Sequence, residues 1–394
     1  MTRKALTGNG AVALAFKQVE PDVMAAYPIT PQTEIAQSYA DFVANGEVVT
    51  EYVAAESEHS AMSACIGSAA AGARTITATS SQGFALMWEM LFIAASLRLP
   101  INMAVVTRTL SGPINIHCDH SDSMGGRDCG WVQLYAEDIQ EAYDNAIQGF
   151  RIAEHMDVRL PVMTMQDGFI TSGAIGPVDP LGAEDVKKFV GDFVPVNSLL
   201  DAQNPVTVGP FDGIHGWYFE HKVNQNTAME KAMDVIEAVG HEFGELSGRP
   251  YEHFKTTNVE DADVVLVVIG SAGGNVRTVV EQQRQEGRKV GVLQVRTFRP
   301  FPTRQIAAAL SGAKAVGVLD RSDSFGAQGG PLFTEVRSAL YETDARPKAF
   351  NFIYGLGGRE IYPKNIESAI NLLEKAAAGG EVEQTRHYLN LREG

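Results

Sequence analysis

The sequence predicts an α/β protein made of two units, the first of which is built on a doubly wound parallel sheet. From residue 23 to residue 168, short apolar runs alternate with longer segments of helical composition, the order typical of strand–helix–strand repeats. The runs at 100–107 and 159–165 are almost continuously apolar, as expected for strands that are buried on both faces. The same alternation starts again at residue 261, and a length of 394 residues fits two or three domains.

The composition indicates an ordinary globular protein and argues against several functional classes. Hydrophobic residues make up 45% of the chain and charged residues 20%, which are common values. A net charge of −16 argues against nucleic-acid binding, which needs basic surfaces. No apolar run reaches the roughly 20 residues of a membrane span, and the first residues lack the apolar core of a secretory signal. The three cysteines form no Cys-x-x-Cys pair, so we expect a reducing, cytoplasmic setting and no four-cysteine cluster within this chain.

In the first unit, each predicted element follows from the apolar periodicity and from the residues that end it. Helices are predicted at 5–18, 32–45, 56–71, 84–97 and 138–155, and strands at 23–27, 47–54, 74–79, 100–107 and 159–165. The segment 172–213 is rich in proline and glycine and is predicted to be extended, without a core of its own. A long helix is predicted at 225–246.

The turn Tyr27-Pro28-Ile29-Thr30-Pro31 joins the first predicted strand to the next helix. Two closely spaced prolines favour an extended, rigid backbone here. Pro31 suits the first turn of the helix, and Thr30 suits its N-cap. The Thr30 hydroxyl is therefore predicted to cap the helix, to contact a ligand, or both, and capping is the more common use.

Glu58 stands at the head of a long run of small residues within the stretch 51–83. Small residues let the backbone approach a flat ligand or another backbone closely. A carboxyl group that loses water as this helix packs keeps its proton more readily, which suits a group that passes a proton to a heterocycle. The alternative is an acidic residue that interacts with the helix dipole, and composition alone favours this alternative.

Arg108 follows the buried strand predicted at 100–107. Ligands of open α/β sheets gather at the carboxyl ends of strands, and a guanidinium group there can bind a carboxylate through two hydrogen bonds. A surface or interface ion pair is the alternative for this arginine. The polar loop 111–131 that follows has a length typical of functional or mobile loops.

The run His117-Cys118-Asp119-His120 within this loop resembles a metal site at first sight. Zinc ligands that are close in sequence normally stand two to four residues apart and are joined by a second ligand pair. Four adjacent side chains cannot all face one ion, and no second cluster follows in the sequence. We therefore predict no metal site in this chain, and a polar loop over a cleft.

The second unit is predicted to contain strands at 264–269, 289–294, 315–319 and 350–354. The glycine-rich loop 270–274 after its first strand resembles a dinucleotide-binding fingerprint only weakly, because the Gly-x-Gly-x-x-Gly spacing is absent. A stand-alone dinucleotide-binding protein is therefore a minor alternative. The tail from residue 381 is polar and is predicted to dock on another surface or to fray.

Several of these stretches, in this order and spacing, resemble the alpha subunits of multi-subunit pyruvate:ferredoxin oxidoreductases, in the 2-oxoacid:ferredoxin oxidoreductase family. The resemblance covers almost the whole chain. The stretches that carry it are Tyr27-Pro28-Ile29-Thr30-Pro31, Ser57-Glu58 with the small residues up to Gly72, Thr79-Ser80-Ser81-Gln82-Gly83, Arg108 with Leu110-Ser111-Gly112-Pro113-Ile114-Asn115-Ile116, Arg299-Pro300-Phe301-Pro302 and Gly355-Leu356-Gly357-Gly358-Arg359.

The resemblance implies a thiamine diphosphate enzyme and a division of the chain into domains. Residues 1–250 would bind the pyrimidine ring of thiamine diphosphate, with an extended crossing segment at about 172–224. Residues 251–380 would form a domain like the transketolase C-terminal domain, and residues 381–394 would form a polar tail.

The resemblance also implies roles for individual residues. Glu58 matches the glutamate that bonds the pyrimidine ring nitrogen and shares a proton with it, and Pro28 belongs to the matching cofactor-binding turn. Thr30 matches the threonine that contacts the 2-oxoacid, and Arg108 matches the arginine that holds the substrate carboxylate. In the oxalate-using relatives that this chain resembles, the position of Thr30 is an arginine, which suits a second carboxylate. A threonine at this position therefore implies a substrate with a neutral substituent, such as the methyl group of pyruvate.

The reaction implied by the resemblance is the oxidative decarboxylation of pyruvate with coenzyme A to acetyl-CoA and CO₂, with reduction of ferredoxin. The chain has no Gly-Asp-Gly motif and no cysteine pattern for clusters. The family places Mg²⁺, the diphosphate half of the site and one 4Fe–4S cluster on a beta subunit, two further clusters on a ferredoxin-like delta subunit, and another domain on a gamma subunit. The alternatives are a subunit specific for another 2-oxoacid, such as 2-oxoisovalerate, and a non-catalytic structural subunit.

Overall fold

The computed structural model describes residues 2–209 and 211–392, and none of its helices combines the length and the apolar character needed to cross a membrane. The strands are β1 (Lys4–Thr7), β2 (Val23–Ala26), β3 (Glu51–Ala54), β4 (Thr75–Thr79), β5 (Asn102–Thr107), β6 (Val132–Tyr135), β7 (Val162–Asp167), β8 (Ile175–Val178), β9 (Phe254–Thr257), β10 (Val264–Ile269), β11 (Val290–Val295), β12 (Thr297–Arg299), β13 (Ala315–Asp320), β14 (Lys348–Ile353) and β15 (Arg386–Tyr388). The helices are α1 (Gly8–Val19), α2 (Thr33–Ala44), α3 (Glu58–Ala70), α4 (Ser81–Leu86), α5 (Trp88–Ser96), α6 (Ser121–Gly125), α7 (Ile139–Glu154), α8 (Ala183–Val190), α9 (Tyr218–Ser247), α10 (Ala272–Gln285), α11 (Thr303–Leu310), α12 (Pro331–Tyr341) and α13 (Pro363–Ala377), and a short 3₁₀ helix spans Leu356–Gly358.

The first sheet has the strand order β12-β6-β7-β5-β4-β2-β3. Its central strand, β5, is buried along its whole length. Side chains alternate between the two faces of a strand, so Met103 and Val105 join one hydrophobic core while Ala104 and Val106 join another. The strands pair in parallel, except that β12 runs antiparallel to β6. The predicted doubly wound parallel sheet is therefore confirmed.

The second sheet has the strand order β15-β14-β13-β10-β11-β9. Its strand β10 is buried along its whole length and pairs in parallel with both β11 and β13. The polar tail contributes β15, which docks in parallel on β14 with Phe352 opposite His387. The second α/β unit predicted from residue 261 is thus present, and strand β9 extends it before that residue.

The two units pack against each other through the chain segment around β12. This strand follows β11 of the second sheet, yet it pairs with β6 of the first sheet, placing Thr297 opposite Leu134. Beside it, the guanidinium group of Arg296 donates to Asn145 Oδ1 and to Gln148 Oε1 of α7, each at 2.9 Å. These contacts fix the position of the second unit relative to the first sheet.

The predicted helix at 5–18 begins too early, because the residues before Gly8 form strand β1. Strand β1 pairs antiparallel with β8. Thr7 ends this strand and caps α1, since its hydroxyl oxygen accepts a hydrogen bond from Gly10 N–H at 2.9 Å.

Two further predictions need correction. The predicted helix at 84–97 begins at Ser81 and is interrupted at Met87, where α4 ends and α5 follows. The segment 172–213, predicted to be extended without a core of its own, is not extended throughout, because it contains the amphipathic helix α8 as well as strand β8. Val186 and Val190 of α8 are buried in the core of the first unit, in keeping with the lack of a separate core. Apolar residues at helical spacing therefore outweigh the surrounding proline and glycine.

Candidate active site

The carboxyl ends of the parallel strands β2, β4 and β5 lie at one edge of the first sheet, where ligands of such sheets bind. Arg108, directly after β5, donates from Nη1 to the carbonyl oxygen of Thr30, which follows β2, at 2.9 Å. The Nε of Arg108 donates to the carbonyl oxygen of Asn115 at 3.2 Å. The structure therefore brings together two of the residues singled out in the sequence.

The predicted capping role of Thr30 is wrong. Helix α2 begins after Gln32, and no side-chain hydrogen bond caps it. The turn is held from another helix, because Asn9 Nδ2 donates to the carbonyl oxygen of Pro31 at 2.8 Å. Residues 30–32 are thus kept in a turn before the helix, and Thr30 and Pro28 are exposed at the sheet edge.

Glu58 is the first residue of α3, and the helix is capped by Ser57, whose hydroxyl oxygen accepts from Ser60 N–H at 3.2 Å. Glu58 is only 5% exposed. Burial raises the pKa of Glu58 above its ordinary value, opposed only by a hydrogen bond from its own backbone, and within the described ranges no other residue donates to the carboxylate. A buried carboxyl group without a cationic partner is suited to holding or sharing a proton.

The Glu58 carboxylate lies against the first turn of α4 at Gly83. A β-carbon at Gly83 would lie 2.4 Å from Glu58 Oε1 and 2.6 Å from Thr79 Oγ1, so only glycine fits. Thr79 Oγ1 is itself buried without a hydrogen-bond partner in the described part of the chain. The Glu58 carboxyl and the Thr79 hydroxyl therefore lie next to each other against the Gly83 backbone, and neither has a hydrogen-bond partner on another side chain of the described residues. A carboxyl and a hydroxyl group placed side by side suit the edge of a flat nitrogen heterocycle.

The loop 111–131 extends from this edge to the second unit. Asn115 Nδ2 donates to the carbonyl oxygen of Gly357 at 3.1 Å, and the carbonyl oxygen of Cys118 accepts from Gly358 N–H at 2.7 Å. A cleft of about 570 Å³ lies between the loop and residues 322–325. The loop therefore borders a cleft between the two units.

The run 117–120 contributes to a buried cluster rather than to a row of ligands for one ion. Cys118 and His120 meet Asp167 at the end of β7, with potential ligand atoms within 4.8 Å of one another. Asp167 accepts from His120 Nε2 at 2.7 Å and from Arg321 Nη1 at 2.8 Å. Arg321 also lies 3.6 Å from Cys118 Sγ, and its positive charge opposes the binding of a metal cation there.

Asp167 is fixed in its ionised form by these partners. Burial alone would raise the pKa of Asp167, but His120 and Arg321 outweigh this effect and hold the pKa well below its ordinary value. The Ser271 hydroxyl and Ser271 N–H also donate to Asp167, at 2.5 Å and 3.1 Å. Ser271 belongs to the loop 270–274, so this glycine-rich loop joins the two units in this structure.

Asp122, near the start of α6, is a site residue that sequence reasoning missed. Its buried carboxylate accepts hydrogen bonds from the backbone N–H of both Ser81 and Arg108. These partners are 41 and 14 residues away in the chain, so no local motif predicts the contact.

Two family models match the chain. The model for the thiamine-diphosphate-binding domain of pyruvate flavodoxin/ferredoxin oxidoreductase matches residues 14–241. The model for core domain II of pyruvate:ferredoxin oxidoreductase matches residues 262–366. Together they cover most of both units.

Curated relatives match over nearly the full length. The chain is 54% identical over 391 residues to the pyruvate synthase subunit PorA of Thermotoga maritima, covering 99% of this chain and 98% of the relative. It is 48% identical over 375 residues to the subunit of the same name from Methanocaldococcus jannaschii, covering 95% of each. It is also 42% identical over 395 residues to the ketoisovalerate oxidoreductase subunit VorA of Pyrococcus abyssi, covering 99% of this chain and 98% of the relative.

Solved structures share the fold. A 2-oxoglutarate:ferredoxin oxidoreductase from Magnetococcus marinus matches 94% of this chain and 65% of its own chain, with a TM-score of 0.70 and 24% identity. An inactive tetramer of a split-gene transketolase matches 95% of this chain and 99% of its own, with a TM-score of 0.54 and 12% identity. The predicted fold class, a parallel-sheet domain of the thiamine-diphosphate-binding type followed by a second α/β domain, is therefore confirmed.

Proposed function

Since this chain belongs to the 2-oxoacid:ferredoxin oxidoreductase family, we propose that it is the alpha-type subunit of a pyruvate synthase. The complex oxidatively decarboxylates pyruvate with coenzyme A to acetyl-CoA and CO₂ and reduces ferredoxin. The observation that carries the proposal is that Arg108 contacts the Thr30 carbonyl at the sheet edge where the turn at Gly83 lies against Glu58, with Asp122 bonded to both Arg108 N–H and Ser81 N–H. The functional domain boundaries at 1–250, 251–380 and 381–394 remain part of this proposal.

The residues around Glu58 fit the aminopyrimidine ring of thiamine diphosphate. The fit rests on the carboxylate that lacks a donor, the unpartnered Thr79 hydroxyl and the close approach of both groups to the Gly83 backbone. Thiamine diphosphate, when bound, supplies the carbon nucleophile that attacks the keto group of the substrate. Glu58 hydrogen-bonds the ring nitrogen and shares a proton with it, which its raised pKa allows. Pro28, exposed at the same edge, contacts the cofactor.

Arg108 is the residue proposed to hold the substrate carboxylate. Its Nε and Nη1 are engaged by two carbonyl oxygens, which fix the plane of the guanidinium group. Within the described residues its Nη2 has no hydrogen-bond partner, so it remains available to a carboxylate oxygen. Thr30, whose carbonyl orients this group, contacts the substituent of the 2-oxoacid.

The proposed complex supplies what this sequence lacks. A beta subunit carries Mg²⁺ and the diphosphate half of the thiamine diphosphate site together with a 4Fe–4S cluster, and a ferredoxin-like delta subunit carries two more clusters. A gamma subunit adds a further domain. The support is the absence of a Gly-Asp-Gly motif and of cluster-binding cysteine patterns in this sequence, together with the family membership. The chain is therefore active only with its partner subunits.

A second candidate substrate is 2-oxoisovalerate. The observation that favours it is the 42% identity to ketoisovalerate oxidoreductase subunits over 395 residues. Pyruvate remains the first proposal because the pyruvate synthase subunits reach 54% identity.

The substrate can be identified by a parallel assay of the complete complex under anaerobic conditions. Coenzyme A-dependent reduction of methyl viologen is measured with pyruvate, 2-oxoisovalerate, 2-oxoglutarate and oxalate. We expect the highest kcat/KM with pyruvate. A higher kcat/KM with 2-oxoisovalerate would make 2-oxoisovalerate the substrate in place of pyruvate. No turnover with any 2-oxoacid would contradict the proposed function.

The role of Arg108 is tested in the same assay with Arg108→Lys. Lysine keeps the charge but loses the planar group that the Asn115 and Thr30 carbonyl oxygens orient, so we expect KM for pyruvate to rise about 10- to 100-fold, as loss of a charge-assisted hydrogen bond implies. Arg127→Lys is the control, because Arg127 is an arginine of the adjoining loop 111–131 that borders the cleft between the units and donates to the carbonyl oxygen of Met124. Equal effects of the two substitutions would contradict the assigned role.

A further inference from the structure

Asp122 joins two separate parts of the candidate active site through one carboxylate group. Its Oδ2 accepts from Ser81 N–H at 2.8 Å and from Arg108 N–H at 3.0 Å. Its Oδ1 accepts from Ser123 N–H at 2.6 Å. The residue is 1% exposed, so the hydrogen bonds are shielded from water and each contributes more than it would at the surface.

One of these partners has an unusual backbone conformation. Ser81 has a φ of +46°, a value that non-glycine residues adopt rarely and at a cost. Its N–H is held by Asp122, and its hydroxyl donates to the carbonyl oxygen of Thr109 at 2.5 Å. This conformation starts the turn that brings Gly83 against the carboxylate of Glu58. The Asp122 carboxylate thus stabilises the turn on which the position of Glu58 depends.

The other partner is the backbone of Arg108, at the end of β5. The hydrogen bond to its N–H fixes the point from which its side chain reaches the Thr30 carbonyl. A single carboxylate therefore sets the spacing between the ends of β4 and β5.

The segment that carries Asp122 is itself held by the second unit. His120 N–H donates to the carbonyl oxygen of Arg321 at 2.8 Å, and Asp119 Oδ2 accepts from Gly357 N–H at 3.2 Å. The second unit therefore contacts the segment 119–122, and Asp122 of this segment bonds the active-site residues Ser81 and Arg108.

We propose that Asp122 is a positioning residue that aligns Arg108 and the Ser81–Gly83 turn, so that the substrate carboxylate and the pyrimidine ring are held at a fixed separation. The inference rests on the proposed function, in which Arg108 binds the carboxylate. Burial raises the pKa of Asp122 to about 7, against the three backbone N–H groups that it accepts from. The three N–H donors favour the ionised form and so limit the rise that burial causes.

The test compares Asp122→Asn with wild type in the complete complex. Asparagine keeps the size but removes the negative charge. With its one carbonyl oxygen at the position of Oδ2 it accepts from Ser81 N–H and Arg108 N–H only as a neutral group, and its NH₂ group then faces Ser123 N–H, so the clamp loosens. We expect kcat/KM for pyruvate to fall about 10- to 100-fold, the factor that corresponds to one lost charge-assisted hydrogen bond, while KM for coenzyme A stays unchanged. Hydrogen–deuterium exchange followed by mass spectrometry provides the second readout. We expect peptides containing Ser81 and Arg108 to exchange faster.

Asp119→Asn is the matched control, since Asp119 is also buried and lies in the same segment but contacts neither Ser81 nor Arg108. An effect of Asp119→Asn equal to that of Asp122→Asn, in exchange and in kcat/KM, would overturn the proposal in favour of a general role in docking the segment. Unchanged exchange at both peptides in Asp122→Asn would also overturn it.

Asp122→Glu is measured as well and decides the question if the asparagine variant does not fold. Its longer side chain keeps the charge but cannot hold both N–H groups in the same geometry, so faster exchange at the two peptides supports the proposal and unchanged exchange overturns it. The exchange readout needs no substrate. If wild type shows no turnover with any 2-oxoacid, the proposed function fails, while the exchange data still test the clamp.

Discussion

Two buried carboxylates of the first unit behave in opposite ways. Glu58, at the start of α3, is 5% exposed, and Asp167, at the end of β7, is 1% exposed. Burial raises the pKa of Glu58, whereas His120 and Arg321 overcome the same effect at Asp167 and lower its pKa. Between these two acids, the difference in pKa comes from the His120 and Arg321 charges beside Asp167, which Glu58 lacks.

The difference separates a group that is free to act from a group that holds the structure together. Asp167 uses its hydrogen-bonding capacity on residues of both units, and such ion-pair networks also perturb pKa values without any role in catalysis. Glu58 has no such partner among the described residues. Its unused capacity is what makes it a candidate for contact with a cofactor.

The largest expected effect comes from removing the acid function of Glu58. In Glu58→Gln the side chain keeps its size but cannot share a proton with a ring nitrogen, so we expect turnover of the complete complex to fall about 100- to 10,000-fold, the usual contribution of a general acid or base. Methyl viologen reduction with pyruvate measures this effect. Glu56→Gln is the control, because Glu56 is an exposed acid next to the same helix start. Unchanged turnover in Glu58→Gln would show that Glu58 does not act as an acid or base, and the contrast with Asp167 would fail.

The next effect is on stability and concerns Asp167. Its pKa is lowered in the folded state, so the ionised group stabilises the fold above its unfolded pKa of about 3.9, and the contribution is lost as the pH falls through the lowered value. At pH 7 the contribution is fully present. Asp167→Asn leaves Arg321 buried without its carboxylate, and we expect a loss of about 3–5 kcal/mol in the free energy of unfolding.

Urea denaturation at pH 7 measures this loss. Asp263→Asn is the control, because Asp263 pairs with Lys314 at 2.9 Å in an exposed position, where an ion pair contributes less than about 1 kcal/mol. A loss in Asp167→Asn no larger than in this control would mean that the buried network does not hold the two units together.

The smallest expected effect is on the stability contribution of Glu58, which has the opposite sign to that of Asp167. The pKa of Glu58 is raised in the folded state, so its ionised form disfavours folding above the folded-state pKa, and this penalty disappears below the unfolded pKa of about 4.3. We therefore expect Glu58→Gln to raise the urea midpoint slightly at pH 7 and to leave it unchanged near pH 4. A lower midpoint at pH 7 would show that the Glu58 carboxylate stabilises the fold.

The parallel sheet and several helix starts could be predicted from the sequence because local patterns determine them. Continuous apolar runs marked β5 and β10, and Ser57 and Asp138 stand directly before the helices that they cap. The position of Arg108 at a strand end was equally local. The sequence pattern also showed Glu58 at the start of a helix, but not the absence of partners around its carboxylate.

The remaining features depend on contacts between distant parts of the chain. Arg321 reaches Asp167 across 154 positions, and His120 reaches it across 47. The adjacent residues 117–120 resemble a metal site in the sequence, yet His120 forms a hydrogen bond with Asp167, which in turn binds Arg321. Strand β12 joins the sheet of the other unit for a similar reason, since pairing across units leaves no mark in its short sequence.

The most direct test measures turnover and the urea midpoint on the same preparations of the complex, carrying either Glu58→Gln or Asp167→Asn. We predict crossed results. Glu58→Gln loses turnover and keeps its stability, while Asp167→Asn loses stability and keeps turnover within about tenfold under conditions where it is folded, which is less than the loss of a catalytic acid. Loss of both properties in both variants, or retained turnover in Glu58→Gln, would contradict the distinction between a carboxylate free to act and a carboxylate committed to structure.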